Sequence, residues 1–313
     1  MNVTIQNLTK KYGPQVAVDD ISFRVKTGEI LGFLGPNGAG KTTVMKVITS
    51  FFAPTSGNVQ VGDYSVVEDP LEVKKHIGYL PEINALYPDM YIIDYLKFIA
   101  ALHGIPKEKV RERIYEMIRL CGLDKEKHKK IGELSKGYKQ RVGLAQAMIH
   151  DPDVLILDEP SEGLDPNQIV EIRSLIKNIG REKTVILSSH ILAEVEATCD
   201  RILIINNGKI VADGTAQELR KATQGEEVLR VGIEEGDRND IYKALQELKT
   251  VAEVDFIEEE GSKNLFKVNS KKDISSKKDI SKMCIEKDWL VSELTPIQTK
   301  LEDIFRDLTQ NQS

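Results

Sequence analysis

Short apolar runs alternate with amphipathic segments along residues 1–222. Val154–Leu157 and Val185–Leu187 have the length of buried strands, and each is followed by a segment whose apolar residues recur at helical spacing. An earlier run, Glu29–Leu34, leads through a glycine-rich turn into another helical segment. Strands that alternate with helices form βαβ units, so this part of the chain predicts an α/β fold with a mostly parallel sheet.

Residues 83–150 have a different pattern, in which helical spacing replaces the strand-like runs. Tyr91–Ala101, Lys107–Cys121 and Lys136–Ile149 are amphipathic, and glycine or proline residues lie between them. We therefore expect an α-helical subdomain at about residues 83–150, within a larger domain that ends near residue 222.

Beyond residue 222 the order of elements changes again. Strand-like segments lie at Val228–Ile233, Val251–Ile257, Leu265–Val268 and Trp289–Leu294, and helical segments at Asp237–Leu248, Asp273–Glu286 and Thr299–Leu308. Taken in chain order, the first six segments form the pattern βαββαβ, and the seventh is a final helix. This pattern predicts a small α+β, ferredoxin-like domain over residues 223–313.

Charge and cysteine content narrow the classes of function. The net charge of -6 argues against a general nucleic-acid-binding protein, whose surface would be basic. The three cysteines are far apart and form no CxxC pair, which favours reduced thiols. The N-terminus has no signal-peptide pattern, and the apolar runs are far shorter than the about 20 residues of a membrane-spanning helix. We expect a cytoplasmic chain without a membrane segment of its own.

A glycine-rich loop comes after the strand Glu29–Leu34 and opens the next helix. It fits GxxxxGK[ST] and consists of Gly35, Pro36, Asn37, Gly38, Ala39, Gly40, Lys41, Thr42 and Thr43. In such a loop the backbone N–H groups turn inward on phosphate oxygens, next to the positive end of the helix. Lys41 is then placed to reach the β- and γ-phosphates, and the Thr42 hydroxyl to bind Mg²⁺. The alternative is a glycine-rich connector without a ligand.

Two acidic residues stand at the end of the strand Val154–Leu157. Parallel sheets bind their ligands at the carboxyl ends of strands, and a buried carboxylate needs a partner. Mg²⁺ would be that partner for Asp158, and Glu159 would polarise a water molecule for attack on the γ-phosphoryl group. The alternative is that both acids cap the helix that begins near Ser161.

Residues 1–222 resemble the ATP-binding cassette family, a group of P-loop NTPases with a mixed sheet and a helical subdomain. Beyond the two motifs above, the segment Leu134-Ser135-Lys136-Gly137-Tyr138-Lys139-Gln140-Arg141 is similar to the signature motif of that family. The resemblance implies that Ser135 and Gly137 contact the ATP held by the phosphate loop of a second copy. Ser135 could instead only cap the helix that begins after it.

The resemblance also implies roles for four other residues. Tyr12 is placed to stack on adenine. Asp165, in Gly163-Leu164-Asp165, is similar to the loop residue that links the two sites of a dimer, and His190 to the histidine that senses the γ-phosphate. Glu82 stands where the family usually has a glutamine that touches Mg²⁺ or the attacking water, and a carboxylate can still bind Mg²⁺.

These residues together predict an ATPase with ATP and Mg²⁺ as cofactors. Glu159, His190, Lys41 and Glu82 would be catalytic, and the metal ligands would be Thr42, Asp158 and Glu82. The resemblance implies two kinds of partner: a second ATP-binding subunit, most simply a homodimer formed with ATP, and integral membrane permease subunits that hold the chain at the inner face of the membrane. No nucleic acid is expected. The alternative is a soluble ATPase of this family that acts on nucleic acid or ribosomes.

Three stretches narrow the resemblance further. Ile77–Tyr95, Glu162–Gln168 and Leu301–Leu308 are similar to the gliding-motility-associated ATP-binding subunits, in which glutamate is common at position 82. Related drug-export-type ATPases share most of these sequence features. The finer expectation is therefore export or gliding motility.

Overall fold

The computed structural model describes residues 1–223, 227–271, 274–296 and 301–310. Contacts divide the chain into two compact units. One unit consists of Met1–Ala216 together with the segment that starts at Leu308, and the other of Gln217–Asp307. The domain limits predicted from the sequence, 1–222 and 223–313, remain a prediction.

The first unit contains two sheets. Its strands are β1 (Val3–Tyr12), β2 (Gln15–Val25), β3 (Ile30–Leu34), β4 (Ser56–Val61), β5 (Tyr64–Ser65), β6 (Ile77–Leu80), β7 (Val154–Leu157), β8 (Thr184–Ser189), β9 (Arg201–Asn206) and β10 (Lys209–Gly214). One sheet has the order β2-β1-β4-β5, and all its pairs are antiparallel. The other has the order β10-β9-β3-β8-β7-β6 and is parallel except for β10.

The prediction of a mostly parallel sheet is thus confirmed for the second of these sheets. Every residue of β3, β7 and β8 is buried, as expected for strands covered on both faces. In β1 and β2, by contrast, buried positions are interspersed with exposed ones, because their sheet covers the core with one face only. The apolar runs therefore identified the central strands, whereas the separate antiparallel sheet was not predicted.

Helices fill the connections between these strands. They are α1 (Lys41–Ile48), α2 (Pro70–His76), α3 (Ile92–Leu102), α4 (Lys107–Leu120), α5 (Lys136–Met148), α6 (Pro166–Gly180) and α7 (Leu192–Thr198). A further helix, α8 (Ala216–Thr223), follows β10 and belongs to the second unit from Gln217 onward. The three helices predicted within residues 83–150 are confirmed as α3, α4 and α5, with ends that differ by one residue. In the part of the chain that the structure describes, every helix is too short or too polar to cross a bilayer.

The second unit is built on a four-stranded antiparallel sheet. Its elements are β11 (Val228–Glu234), α9 (Arg238–Gln246), β12 (Val251–Glu260), β13 (Lys263–Ser270), α10 (Lys277–Glu286) and β14 (Leu290–Pro296), and α11 (Leu301–Gln310) comes after them. The sheet order is β12-β13-β11-β14. The predicted order of elements is confirmed, and the ferredoxin-like classification remains a prediction.

The helix predicted from Asp273 begins later, at Lys277. Ser276, directly before it, is buried, and its hydroxyl donates a hydrogen bond to Thr250 O over 2.9 Å while its backbone N–H donates to Ser270 Oγ over 3.3 Å. These two hydrogen bonds hold Ser276 against β13, and the helix begins only after it, at Lys277. Asp273 and Thr299, the predicted starts of two helices, lie outside the described residues.

All three cysteines are free thiols, as the sequence predicted. Burial raises the pKa of the Cys121 thiol to about 12 and that of Cys284 to about 11. It also raises the pKa of Cys199, to which the neighbouring Asp200 carboxylate adds. Because the thiolate is the reactive form, these thiols are poor nucleophiles at neutral pH.

Candidate functional site

The parallel strands place the predicted motifs side by side. β3 pairs with β8 so that Leu34 lies opposite Ser189, and β7 pairs with β8 so that Leu157 lies opposite Leu187. The phosphate loop, Asp158 and His190 therefore all come directly after neighbouring strands at one edge of the sheet, where α/β proteins bind their ligands.

The phosphate loop ends in a helix N-terminus and a buried lysine. Gly38 and Gly40 have φ of 80° and 111°, in the left-handed region that favours glycine, and a Cβ at Gly40 would lie 2.6 Å from Ala17 O. Lys41 is only 6% exposed, and its Nζ donates hydrogen bonds to Gly35 O at 2.7 Å and Pro36 O at 3.3 Å. The ammonium group is thus held inside the loop, as its predicted role requires.

Asp158 and Glu159 are joined to the neighbouring strand by one hydroxyl group. Ser188 Oγ donates to Asp158 Oδ1 over 2.6 Å and accepts from the backbone N–H of Glu159 over 2.9 Å. Asp158 is fully buried, and its other oxygen, Oδ2, has no hydrogen-bond partner among the described residues. A buried carboxylate oxygen without a partner suits a cation.

The Glu159 carboxylate lies between two other predicted catalytic groups. Its Oε1 is 3.5 Å from Lys41 Nζ and its Oε2 is 2.9 Å from His190 Nδ1. The alternative in which Asp158 and Glu159 cap the next helix is wrong, because α6 begins at Pro166 and its N-cap is Asp165. The structure thus brings Lys41, Glu159 and His190 into direct contact.

A cavity of about 410 Å³ opens in front of these groups. It is lined by Tyr12, Gln15, Ala17, Pro36, Asn37, Gly38, Gly40, Lys41, Thr42, Thr43, Glu82, Glu159, Glu162 and His190. Most of the predicted site residues are in this set. Gly35 instead lies at the base of the loop, where a Cβ would come within 2.4 Å of Ile205 O, and Ala39 is buried in the core below it.

Tyr12 forms an aromatic part of the cavity wall. Its side chain is 41% exposed, and its ring packs edge-on against Phe52 with the centroids 5.9 Å apart. Lys10 Nζ lies 5.3 Å from the ring centroid of Tyr12. An exposed ring that neighbours hold in place can stack on a planar base.

Several carboxylates act on Glu82, which lines the cavity. The pKa of Glu82 is raised, first by burial and then by the charges of Glu162, Asp158 and Glu159, while Lys41 opposes the shift. Within the described residues, no three His, Cys, Asp or Glu side chains form a metal site by themselves. Mg²⁺ would therefore depend on phosphate oxygens for part of its coordination. If phosphate oxygens complete the coordination, three groups of this chain suit the ion. They are the unpartnered Asp158 Oδ2, the Thr42 hydroxyl in the cavity wall and the negatively charged surroundings of Glu82.

Three predicted residues lie together at a second place. Ser135 is the N-cap of α5, and its Oγ accepts a hydrogen bond from Tyr138 N over 3.5 Å. Asp165 is the N-cap of α6 and accepts from Gln168 N over 2.9 Å. A Cβ at Gly137 would lie 2.7 Å from the Gln168 side chain, so the two helix N-termini are close. None of the three predicted residues is in the described lining of the cavity.

Several residues at the site were not predicted from the sequence: Gln15, Ala17 and Glu162 in the cavity lining, Ser188 beside Asp158, and Asn84, two residues after Glu82. Ser188 and Glu162 stand next to predicted residues, and the pairing of β7 with β8 was the available signal for Ser188. Asn84 fixes the loop of Glu82 by donating from Nδ2 to Lys139 O over 3.1 Å, in space that Gly143 leaves open. This contact depends on the fold, and no motif announced it.

Comparisons with known proteins agree on one family. The family model described as ABC transporter matches residues 18–162. The uncharacterized ABC transporter ATP-binding protein YxlF of Bacillus subtilis is 34% identical over 97% of this chain and 98% of its own length. The bacitracin transport ATP-binding protein BcrA of Bacillus licheniformis is 39% identical over 69% of this chain and 70% of its own length.

A solved structure is similar to about two thirds of the chain. It is the dimeric, post-hydrolysis state of the ATP-binding cassette MJ0796 bound to ADP and Pi, which is 25% identical with a TM-score of 0.62. The match covers 68% of this chain and 98% of that structure. The first unit therefore has the cassette fold of the P-loop NTPases.

Proposed function

Because the chain belongs to the family of ABC transporter ATP-binding subunits, we propose that it binds ATP with Mg²⁺ in the 410 Å³ cavity and hydrolyses it to drive a separate membrane permease. The observation that carries this proposal is the position of the Glu159 carboxylate, 3.5 Å from Lys41 and 2.9 Å from His190. An acid, a cation and an imidazole that meet at a phosphate-binding loop are the groups that phosphoryl transfer to water requires.

Each of these groups has a separate role in the proposed reaction. Glu159 orients a water molecule and draws on its proton, while Lys41 and His190 neutralise charge that develops on the transferred phosphoryl group. Asp158, Thr42 and Glu82 would hold Mg²⁺, which when bound would compensate negative charge on the phosphates. Tyr12 stacks on the base and sets its position relative to the phosphate loop.

A complete site is proposed to need two copies of the chain. Ser135 and Asp165 are the N-caps of two helices whose N-termini lie close together, Gly137 is buried beside the Gln168 side chain, and none of the three lines the cavity. A helix N-terminus with free N–H groups is suited to a phosphate. We place the surface with these two N-termini over the γ-phosphate in the cavity of a second copy, so that ATP holds the closed dimer together and its hydrolysis releases it.

Export of a cargo through integral membrane permease subunits is the proposed task. The bacitracin transport function named for BcrA supports it, and the alternative of action on nucleic acid or ribosomes has no comparable support. A gliding-motility role rests on sequence resemblance alone, and the relatives named above lend it none. The chain would then work in the cytoplasm, at the inner face of the membrane. For the second unit we propose a ferredoxin-like fold, supported by its sheet order.

The test uses purified full-length protein with Glu159→Gln and, as a control, Glu162→Gln, which also neutralises a carboxylate of the cavity. We expect Glu159→Gln to bind ATP normally, to lose turnover by about 100-fold or more, and to form an ATP-dependent dimer in light scattering. Glu162→Gln should keep most of its turnover, because the contacts with Lys41 and His190 belong to Glu159. Wild-type ATPase activity in Glu159→Gln would show that the base is assigned incorrectly.

The partner is tested separately, by isolating a tagged copy from membranes of its own cells. Recovery of an integral membrane permease is the expected result. Recovery of ribosomes or nucleic acid with no membrane protein would favour the alternative.

A further inference from the structure

We propose that Ser188 is a positioning residue that sets the metal ligand Asp158 and the base Glu159 relative to each other. This inference rests on the proposed function, since it assigns Ser188 a task in the Mg²⁺-dependent hydrolysis of ATP. It concerns a residue that contacts neither nucleotide nor water in the reaction and acts only through its two neighbours.

One hydroxyl group, that of Ser188, contacts both Asp158 and Glu159, whose relative position the proposed reaction requires to be fixed. Ser188 is fully buried near the end of β8, and its Oγ lies 2.6 Å from Asp158 Oδ1 and 2.9 Å from the backbone N of Glu159. A hydroxyl can donate one hydrogen bond and accept another, so both contacts form at once. The bond to an ionised carboxylate is of the stronger, charge-assisted kind.

The first contact determines which oxygen of Asp158 is free. Because Ser188 occupies Oδ1, the unpartnered oxygen is Oδ2. Asp158 N also donates to Leu80 O over 2.9 Å, which fixes its backbone to β6. Without the Ser188 hydroxyl, the carboxylate could rotate about its terminal bond, and its presentation to a cation would no longer be unique.

The second contact holds an unusual backbone conformation. Glu159 has φ of 49°, in the left-handed region that residues with a side chain rarely adopt. Its N–H points at Ser188 Oγ, and its side chain then reaches Lys41 and His190. Strain of this kind persists only where surrounding contacts determine it, and Ser188 provides the contact at the amide that precedes the strained torsion.

The neighbouring serine offers a matched control. Ser189 is also buried, at 2% exposure, but its Oγ accepts from Ile191 N over 3.0 Å. Its removal deletes the same atom one residue away without touching Asp158 or Glu159. If the loss of any buried hydroxyl from β8 impairs the protein, Ser188→Ala and Ser189→Ala should both lose activity. If Ser188 acts by positioning Asp158 and Glu159, only Ser188→Ala should lose activity.

The experiment compares Ser188→Ala, Ser188→Thr and Ser189→Ala in the full chain. Mn²⁺ affinity of the complex with a non-hydrolysable ATP analogue is measured by electron paramagnetic resonance, and turnover is measured with ATP. We expect Ser188→Ala to weaken Mn²⁺ binding and to lower kcat, each by about tenfold or more, and to bind nucleotide normally in the presence of EDTA. Ser188→Thr, which keeps the hydroxyl, should recover at least half of both losses, and Ser189→Ala should match the wild type.

Wild-type Mn²⁺ affinity and kcat in Ser188→Ala would overturn the inference, as would equal losses in Ser189→Ala. A folded Ser188→Thr protein that recovers neither property would also count against it. If the wild-type chain itself fails to hydrolyse ATP, the proposed function fails instead, so the two failures are distinguishable.

Discussion

Nδ1 of His190 lies 2.9 Å from Oε2 of Glu159, so the residue after β8 touches an acid located just beyond the end of β7. His190 is the more exposed of the two, with 45% of its side chain accessible against 9% for Glu159. The imidazole therefore connects a buried acid with the open part of the cavity. A ring in this position can bridge between the acid and a bound phosphoryl group.

The first prediction concerns this ring. His190→Ala should lower kcat by about 100-fold, within the range of losses found when a group that acts on a proton or a developing charge is removed. ATP affinity should change little, because Lys41 and the loop amides remain. Turnover and nucleotide binding are measured side by side, with His128→Ala as control. A normal kcat in His190→Ala would remove the histidine from the mechanism.

Complementation tests whether the site is shared by two copies. Lys41→Ala destroys the phosphate loop and Ser135→Arg blocks the surface proposed to cover it, so each variant alone should be inactive. A mixed dimer would combine the intact loop of one copy with the intact surface of the other, and an equal mixture should recover up to about a quarter of wild-type turnover. The measurement is ATPase activity of the mixture against that of the separate proteins. A mixture as inactive as its components would argue against sharing.

The phosphate loop allows a matched comparison of two glycines. Gly40 and Gly13 both have positive φ, 111° and 57°, but a Cβ at Gly40 would lie 2.6 Å from Ala17 O, whereas one at Gly13 would meet nothing within 4 Å. Gly13→Ala should cost only the backbone strain, about 1–2 kcal/mol. Gly40→Ala should lower the free energy of unfolding further and abolish ATP binding, because the loop must shift. Urea unfolding and nucleotide titration check both effects.

A stacked pair of histidines predicts a pH dependence of stability. The rings of His103 and His150 are 3.9 Å apart and nearly parallel. Burial lowers the pKa of His150 to about 4, with contributions from His103 and from the cations Arg113 and Lys183, while a hydrogen bond to Ile77 O opposes the shift. Burial lowers the pKa of His103 as well.

The sign of this pH dependence follows from the number of protons that the folded and the unfolded chain bind. Between the ordinary histidine pKa of about 6.5 and about 4, the unfolded chain protonates His150 while the folded chain does not. The free energy of unfolding should therefore fall as the pH falls through this range. His150→Asn should flatten the dependence. Equal slopes for His150→Asn and the wild type in urea unfolding from pH 7 to 4 would contradict the assignment.

The sequence predicted the parts of the fold that local pattern controls. The buried strands β3, β7 and β8 were visible as apolar runs because they are covered on both faces. The antiparallel sheet was not visible, since β1 and β2 break their alternation at register shifts. The short helix α2 was missed because seven residues give too little periodicity to distinguish from a turn.

The residues of the candidate site also fall into two groups, those that the sequence could predict and those that it could not. Lys41, Asp158 and Glu159 could be predicted because strand ends in a parallel sheet converge, so sequence position determines spatial position. The contacts of Ser188 and Asn84 could not, because each depends on a side chain that reaches across from a distant segment.

The burial of the Cys121 and Cys284 thiols has a practical consequence for measuring motion. Cys121 and Cys284 are shielded and have pKa values of about 12 and about 11, so maleimide and nitroxide reagents should react with them slowly. A single cysteine introduced on the exposed side of α4 should react with these reagents faster than Cys121 and Cys284, so those two need not be replaced first. Spin labels attached there in the full-length chain would report the separation of two copies through a round of turnover.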